Sequence, residues 1–178
     1  CHLYRRLLRG EIHMTSMINT LTRLSRRQIA LLAGFGSLGI LLGAFAFQAA
    51  GYAPCAMCLW QRWPHAIAFG FGIFFALTRF GFIPPLGVLT MGISAGLGLY
   101  HTGVERDWWE GPTSCTSAGD GLSGLSGMDL LPSASMDASL VLCDEVVWDL
   151  FGLSMASYNA LASLAFVALW IWAWKSRA

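Results

Sequence analysis

Cys55 and Cys58 stand three positions apart in Cys55-Ala-Met-Cys58-Leu-Trp-Gln-Arg62, close enough to join across a tight turn, which is the geometry of exchangeable redox pairs. A loop this small removes little entropy from the unfolded chain, so a purely structural bridge gains little here. The same spacing also serves zinc sites and haem attachment, and the pair alone does not choose among them. Arg62 follows Cys58 by four residues. A helix over this stretch would bring the two side chains together, where a cation favours thiolate over thiol. Pro64 would disturb the preceding turn of such a helix, and Arg62 is equally well read as an interfacial cation with its head in water. Cys115 and Cys143 lie far apart later in the chain. They can form a stabilising bridge or a disulfide open to attack by a visiting protein, and the presence of a second thiol pair favours the latter. His101 can donate a hydrogen bond to a ligand at a bilayer edge or be one more interfacial ring. His65, Trp60, Trp63, Trp108 and Trp109 read as belt residues. With no phosphate loop, serine triad or paired carboxylates inside an apolar run, hydrolysis and nucleotide binding have no foothold.

The elements that must position these groups belong to a membrane protein. Of 178 residues, 56% are hydrophobic and only 12% charged, with a mean hydropathy of +0.58, far from the balance of an ordinary soluble domain. A formal net charge of +1 gives no reason to expect nucleic acid as a partner. Runs without Asp, Glu, Lys or Arg occupy 29–54, 63–78, 80–104 and 150–174. A helix crosses the hydrocarbon with about 20 residues, and ~17 suffice when flanking cations snorkel. The run 63–78 is the shortest, and its flanks are Arg62 and Arg79. Four spans are expected.

Charge distribution sets the orientation. Arg5, Arg6, Arg9, Arg23, Arg26 and Arg27 precede the first span, Arg79 lies between the second and third, and Lys175 and Arg177 follow the fourth; the positive-inside rule places all of them in the cytoplasm. Nine of the ten acids fall between Glu105 and Asp149, where Arg106 is the single cation, so that segment faces outward. Both termini are then cytoplasmic, and the four thiols Cys55, Cys58, Cys115 and Cys143 share the oxidising face. The expected organisation is a cytoplasmic extension over 1–28, in which Cys1 is a bystander, a membrane domain over 29–174 with outer loops at about 51–63 and 103–157, and a tail over 175–178. The outer loop is rich in Ser, Gly and Thr over 113–127, too poor in large side chains to fix a compact structure. Residues 146–153 read as an amphipathic segment in the interface before the last span. Gly34, Gly36, Gly39 and Gly43 in the first span, and Gly92, Gly96 and Gly98 in the third, suit close helix packing.

The order of these motifs resembles the bacterial disulfide bond formation protein B (DsbB) family: a CxxC followed by Gln61-Arg62 at the first outer gap, Tyr100-His-Thr-Gly-Val-Glu105 at the end of the third span, then two spaced cysteines, the second within Cys143-Asp-Glu-Val-Val-Trp-Asp-Leu-Phe-Gly-Leu-Ser-Met155. The likeness runs over 29–174. Gln61 stands where some relatives carry an acid. The resemblance implies an all-α membrane protein, a four-transmembrane-helix bundle with a long periplasmic loop containing a short interfacial helix, in the bacterial inner membrane. It implies an enzyme that reoxidises a periplasmic DsbA-like thioredoxin-fold dithiol oxidase and passes the electrons to ubiquinone or menaquinone. Cys115 would form the mixed disulfide with the partner, Cys143 would be its pair, and Cys55 would receive the electrons. Cys58 would make the thiolate adduct or charge-transfer contact with quinone, and Arg62 and His101 would hold the ring. The residues also admit a metal-handling protein whose outer thiols bind copper or zinc, although the wide spacing of the second pair and a single well-placed histidine speak against it. A reductase of the vitamin K epoxide type would carry its CxxC late in the bundle rather than after the first span.

Overall fold

The computed structural model describes residues 24–112 and 142–176. Cys1, Cys115, the rest of the extension and most of the Ser- and Gly-rich loop lie outside them. Four helices form the body: α1 (Arg26–Ala49), α2 (Ala56–Thr78), α3 (Ile83–Glu105) and α4 (Met155–Lys175). Between α3 and α4 runs a short hairpin of β1 (Asp149–Leu150) and β2 (Leu153–Ser154). Helix α1 packs on α2 and α4, and α3 packs on the same two, closing a ring of four.

Side-chain caps start α1, α2 and α4, and prolines mark the start of α3. Ser25 accepts from the Gln28 backbone while the Gln28 side chain returns to the Ser25 backbone, a reciprocal capping box. Pro84 and Pro85 sit in the first turn of α3, where a missing N–H costs nothing. Ser154 caps α4 by accepting from the Ser157 N–H. Pro64 lies inside α2 without ending it, so the second helix starts at Ala56, ahead of the apolar run that begins at 63. Near the opposite end of the bundle from Cys55, the Arg26 Nε–H donates to the Ala173 carbonyl at 2.8 Å, a cation on the last free carbonyls of α4.

Three of the four helices are long and apolar enough to cross a membrane: α1, α3 and α4, with mean hydropathies of 2.1, 1.4 and 1.4 over their best windows. Helix α2 is as long, 23 residues or roughly 34 Å at ~1.5 Å each. Its first half, however, carries Gln61, Arg62 and His65, which lower its hydropathy.

Packing depends on small residues at two crossings. A Cβ added to Gly72 would stand 2.9 Å from the Ala30 carbonyl and 3.0 Å from the Gly34 Cα, so α1 and α2 touch backbone to backbone there. A Cβ on Gly98 would meet the Ala160 nitrogen at 2.9 Å, which brings α3 and α4 together. Gly39, Gly43, Gly92 and Gly96 behave differently from the sequence expectation, since nothing lies within 4 Å of a Cβ built on any of them. The apolar core, with Trp170, Ile29, Met91 and Phe75, fills the bundle toward the Arg26 end.

The described part of the outer loop contains no helix. Residues 146–153, expected as an amphipathic interfacial segment, run extended into a hairpin pairing Asp149 with Ser154 and Leu150 with Leu153. Phe151 and Gly152 form its two-residue loop with φ of 52° and 73°, the paired positive values that match strand twist in a tight hairpin. Tyr158 Oη donates to the Leu150 carbonyl and Arg106 to the Gly152 carbonyl, both at 3.0 Å.

Candidate functional site

Cys55 is the N-cap of α2 and Cys58 its third residue. The capping geometry places the Cys55 sulfur over the helix start, where it accepts from the Cys58 N–H at 3.2 Å and lies 3.0 Å from the Cys58 sulfur, to which it donates. Cys55 therefore keeps its proton: its hydrogen bond to Cys58, and then burial, hold this thiol well above the ordinary range. Cys58, less buried and seated in the first helical turn, is where the positive end of the helix favours negative charge. Cys143 is fully buried and packs with Cys55, Met57 and Val104, so the second described cysteine segment is brought directly to the first.

His101 sits beside Cys55 rather than at the interface, and only 2% of it is exposed. Its Nδ1 is 2.9 Å from Gln61 Nε2, and its Nε2 is 3.5 Å from the Cys55 sulfur and 3.9 Å from Glu105 Oε1. The direction of these bonds is fixed by one group that can only accept. Gln61 Nε2 also reaches the Met57 carbonyl at 3.3 Å; the atom there must be the amide nitrogen, which then donates to His101 Nδ1. His101 consequently carries its proton on Nε2, which faces the Cys55 sulfur, and the ring also has a hydrogen bond with the Cys143 backbone. Glu105 in turn accepts a short hydrogen bond from Ser154, and Ser154 lies 3.1 Å from the Ser157 hydroxyl.

Arg62 lies one turn beyond Cys58 on the same helix, as the spacing predicts, but its guanidinium engages α1. It donates to Gln48 Oε1 at 2.8 Å and lies 4.7 Å over the Phe45 ring. Its buried Nε has no hydrogen-bond partner among the described residues.

These groups border a cavity of about 370 Å³ between α1, the start of α2, the hairpin and the start of α4. Its walls are largely apolar, with Ile40, Leu41, Phe47, Val147 and Met155 among them, and Gly39 and Gly43 leave it room. The polar part of the lining includes Cys55, Cys58, Arg62, His101, Glu105 and Glu145. Cys55, Cys58 and His101 also present donor atoms that all lie within 4.8 Å of one another, a geometry able to hold a metal ion.

The structure thus unites Cys55, Cys58, Cys143, Arg62 and His101, whereas Cys115 lies outside the described residues. Trp60, Trp63, Trp108 and Trp109 are exposed, as belt residues should be, but His65 is not one of them: only 2% exposed, it bonds to Asn159 at 2.7 Å. Gln61 and Glu105 entered the sequence reading only as members of motifs, with no role given to them, and Asn159 did not enter it. An amide or acid within an apolar helix is expensive unless it finds a partner, and that cost was the signal available for all three.

Comparison with known proteins agrees with the motifs. The family model described as disulfide bond formation protein DsbB matches residues 26–173. Disulfide bond formation protein B of Dechloromonas aromatica is 31% identical over 147 residues, covering 76% of this chain and 84% of that protein. Its namesake from Shewanella amazonensis is 29% identical over 128 residues, 66% of this chain and 71% of its own length. No solved structure gave a significant match. By a profile covering all four helices and by these relatives, the chain belongs to the disulfide bond formation protein B (DsbB) family, membrane helical bundles whose chemistry is disulfide formation.

Proposed function

We propose that this chain is a quinone-linked protein disulfide oxidoreductase of the bacterial inner membrane that reoxidises a periplasmic DsbA-like thioredoxin-fold dithiol protein. The observation that carries this reading is the thiol pair, with sulfurs 3.0 Å apart, bordering a mainly apolar cavity of about 370 Å³. That volume is in the range of small-ligand sites, and the lining suits a ring head group whose tail stays in lipid. Arg62, His101 and Cys58 border the cavity on its polar side. A bound ubiquinone or menaquinone supplies the electron acceptor.

The chain's own residues divide the work. Cys115 and Cys143 exchange with the partner's dithiol, and Cys55, packed against Cys143, receives the electrons from that pair. Cys58 faces the acceptor. Arg62 holds a ring oxygen and stabilises negative charge developing there, and His101, with Nε2–H toward Cys55, steadies that sulfur as exchange proceeds. Over one cycle a partner dithiol becomes a disulfide and a quinone becomes a quinol, two electrons and two protons passing between them. The topology we propose is four spans with both termini cytoplasmic. Cation placement supports it, as does the Arg26–Ala173 bond, which puts the start of α1 beside the end of α4. The test is capture: with Cys143→Ala in place, Cys115 should trap a thioredoxin-fold protein as a mixed disulfide, identifiable by mass. Recovery of no such adduct from an oxidising compartment contradicts the reading.

A second reading, a copper- or zinc-handling protein, draws on the Cys55, Cys58 and His101 donor set. Metal analysis of the protein purified from the oxidising compartment separates the two. Stoichiometric metal on reduced thiols favours metal handling, and two disulfides favour electron transfer.

A further inference from the structure

One wall of the cavity is the stretch that leads from Cys143 into the hairpin, with Glu145, Val147, Trp148 and Leu150 along the lining. Its two ends are held. Cys143 is buried against Cys55 and Val104, and the His101 ring hydrogen-bonds to its backbone. At the other end Tyr158 Oη donates to the Leu150 carbonyl and Arg106 to the Gly152 carbonyl. Between these ends, residues 146–148 have no regular structure and make no backbone hydrogen bond among the described residues. A segment bonded so sparsely opens locally at low cost. What holds it shut is one ring. Trp148 is the only residue of 145–150 that is not exposed. Its indole lies 5.2 Å from the Phe47 ring of α1 and 6.1 Å from the Tyr158 ring of α4, and Phe47 packs in turn on Tyr52 at 5.6 Å. Phe47, Tyr52 and Tyr158 also line the cavity, so a row of four rings spans it from α1 to α4.

The same short segment therefore carries a reacting thiol at one end and an aromatic wall of the cavity five residues on. Cys143 cannot reach another partner without leaving a seat in which it is fully buried. The turn that carries it, closed by Glu145 N–H on the Leu142 carbonyl at 3.4 Å, runs straight into the unbonded stretch. We propose that residues 143–150 form a strap that gates the ring-binding cavity: Trp148 closes the wall while Cys143 is seated beside Cys55, and comes off Phe47 and Tyr158 when Cys143 leaves, so that the ring ligand can enter or depart. Seating and closure are two sides of one equilibrium. Whatever favours a seated Cys143 favours a retained ring, and a bound ring favours a seated Cys143 to the same degree. In the reaction, the strap keeps the acceptor in place while electrons pass from Cys143 to Cys55 and on to Cys58, and lets quinol give way to quinone when Cys143 turns to the partner. This inference rests on the quinone reading above.

Ligand exchange on the reduced full chain under nitrogen tests the strap. Reduced protein with a short-chain ubiquinol is redox-silent, and Cys55, Cys58 and Cys143 are then thiols, as in the structure. With tritium-labelled ubiquinol and protein held on affinity beads, the uptake of label gives the entry rate and its loss to an unlabelled chase gives the release rate. Trp148→Ala removes two ring contacts and should speed release about tenfold. Entry should speed up as well, so that the dissociation constant changes by less than about threefold. Cys143→Gln, too large and polar for the buried seat, should act on both rates in the same way. Because both changes act on one closure, the double variant should exchange within about twofold of either single variant, where independent effects would multiply to about a hundredfold. Trp148→Phe keeps a ring between Phe47 and Tyr158 and should restore most of the slow exchange, which guards against a variant that merely folds badly. Faster release with unchanged entry makes Trp148 an ordinary contact to the ring and overturns the strap, as do multiplied rates in the double variant or unchanged rates in either single one. Those outcomes leave the quinone reading intact. Failure of the wild type to bind either ubiquinol or ubiquinone overturns both.

Discussion

Replacing Gln61 with leucine removes a side chain that joins the thiol end of the site to its inner end. Three contacts go: the 3.3 Å bond to the Met57 carbonyl, the 2.9 Å bond to His101 Nδ1 and the 2.6 Å bond from Asn159. The Met57 carbonyl keeps its place in the helix ladder, so the loss falls on the other two. Stranded groups in a soluble core cost ~1–3 kcal/mol each. Bonds between membrane helices average only about 0.6 kcal/mol, because the unfolded chain in lipid also finds partners. The lipid value governs here, and two lost bonds amount to about 1–2 kcal/mol, read from reversible unfolding in bilayers or mixed micelles. The sharper readout is the tautomer. ¹⁵N spectra of histidine-labelled protein should show His101 with Nδ1 bare and Nε2 protonated, and Gln61→Leu should mix the two tautomers. Gln61→Glu, with an ionised carboxylate, keeps the acceptor for Asn159 but offers His101 no donor, so the His101 proton should move to Nδ1. If Gln61→Leu leaves both the stability and the His101 pattern unchanged, the directional chain argued here does not exist.

Three further outcomes follow from the geometry. Gly43→Phe fills space where nothing lies within 4 Å of an added Cβ; helical content by circular dichroism should be retained while the KM for quinone rises at least about tenfold, the scale of one lost contact set. Gly72→Val drives a side chain to within 2.9 Å of the Ala30 carbonyl and should cost more than about 2 kcal/mol as the α1–α2 crossing is forced apart, measured by the same unfolding assay. In the reduced protein Cys55 holds its proton above the ordinary thiol value of 9.0, so iodoacetamide near neutral pH should label Cys58 well before Cys55, as mass mapping can show. Because the folded state binds that proton more firmly than the unfolded state does, the contribution of Cys55 to stability is full below pH 9.0 and declines as pH rises beyond it. A Cys55 that alkylates first at neutral pH contradicts the assignment.

Much of the bundle was legible because lipid imposes a simple rule, and a run without charge marks a helix that must bury its own backbone bonds. The ends of α1, α3 and α4 fall close to where charges, prolines and a capping serine stop the apolar runs. The start of helix α2 was left open by the sequence. Its start depends on Cys55 acting as a cap, a role in which the sulfur stands in for the usual oxygen, and on Pro64 being tolerated within the helix. The hairpin was read as an interfacial segment because residues 146–153 are apolar apart from Asp149 and Gly152, a composition that suits either structure, and the positive φ at Phe151 leaves no compositional mark. Among site residues, the cysteines and Arg62 were visible by type and spacing. The partners of His65 and His101 were not, since Asn159 and Gln61 approach from 98 positions apart, and only packing the helices brings them together. For the same reason the guanidinium of Arg62 turns to Gln48 on a neighbouring helix, although its spacing from Cys58 suggested a thiol partner.

The account rests on electrons leaving the protein through Cys58. The most direct measurement is anaerobic quinol formation by the purified protein supplied with ubiquinone and a reduced thioredoxin-fold dithiol partner, in parallel with Cys58→Ala. The account predicts one quinol for each partner dithiol oxidised by the wild type, and none above background for Cys58→Ala. Full turnover by Cys58→Ala would contradict it.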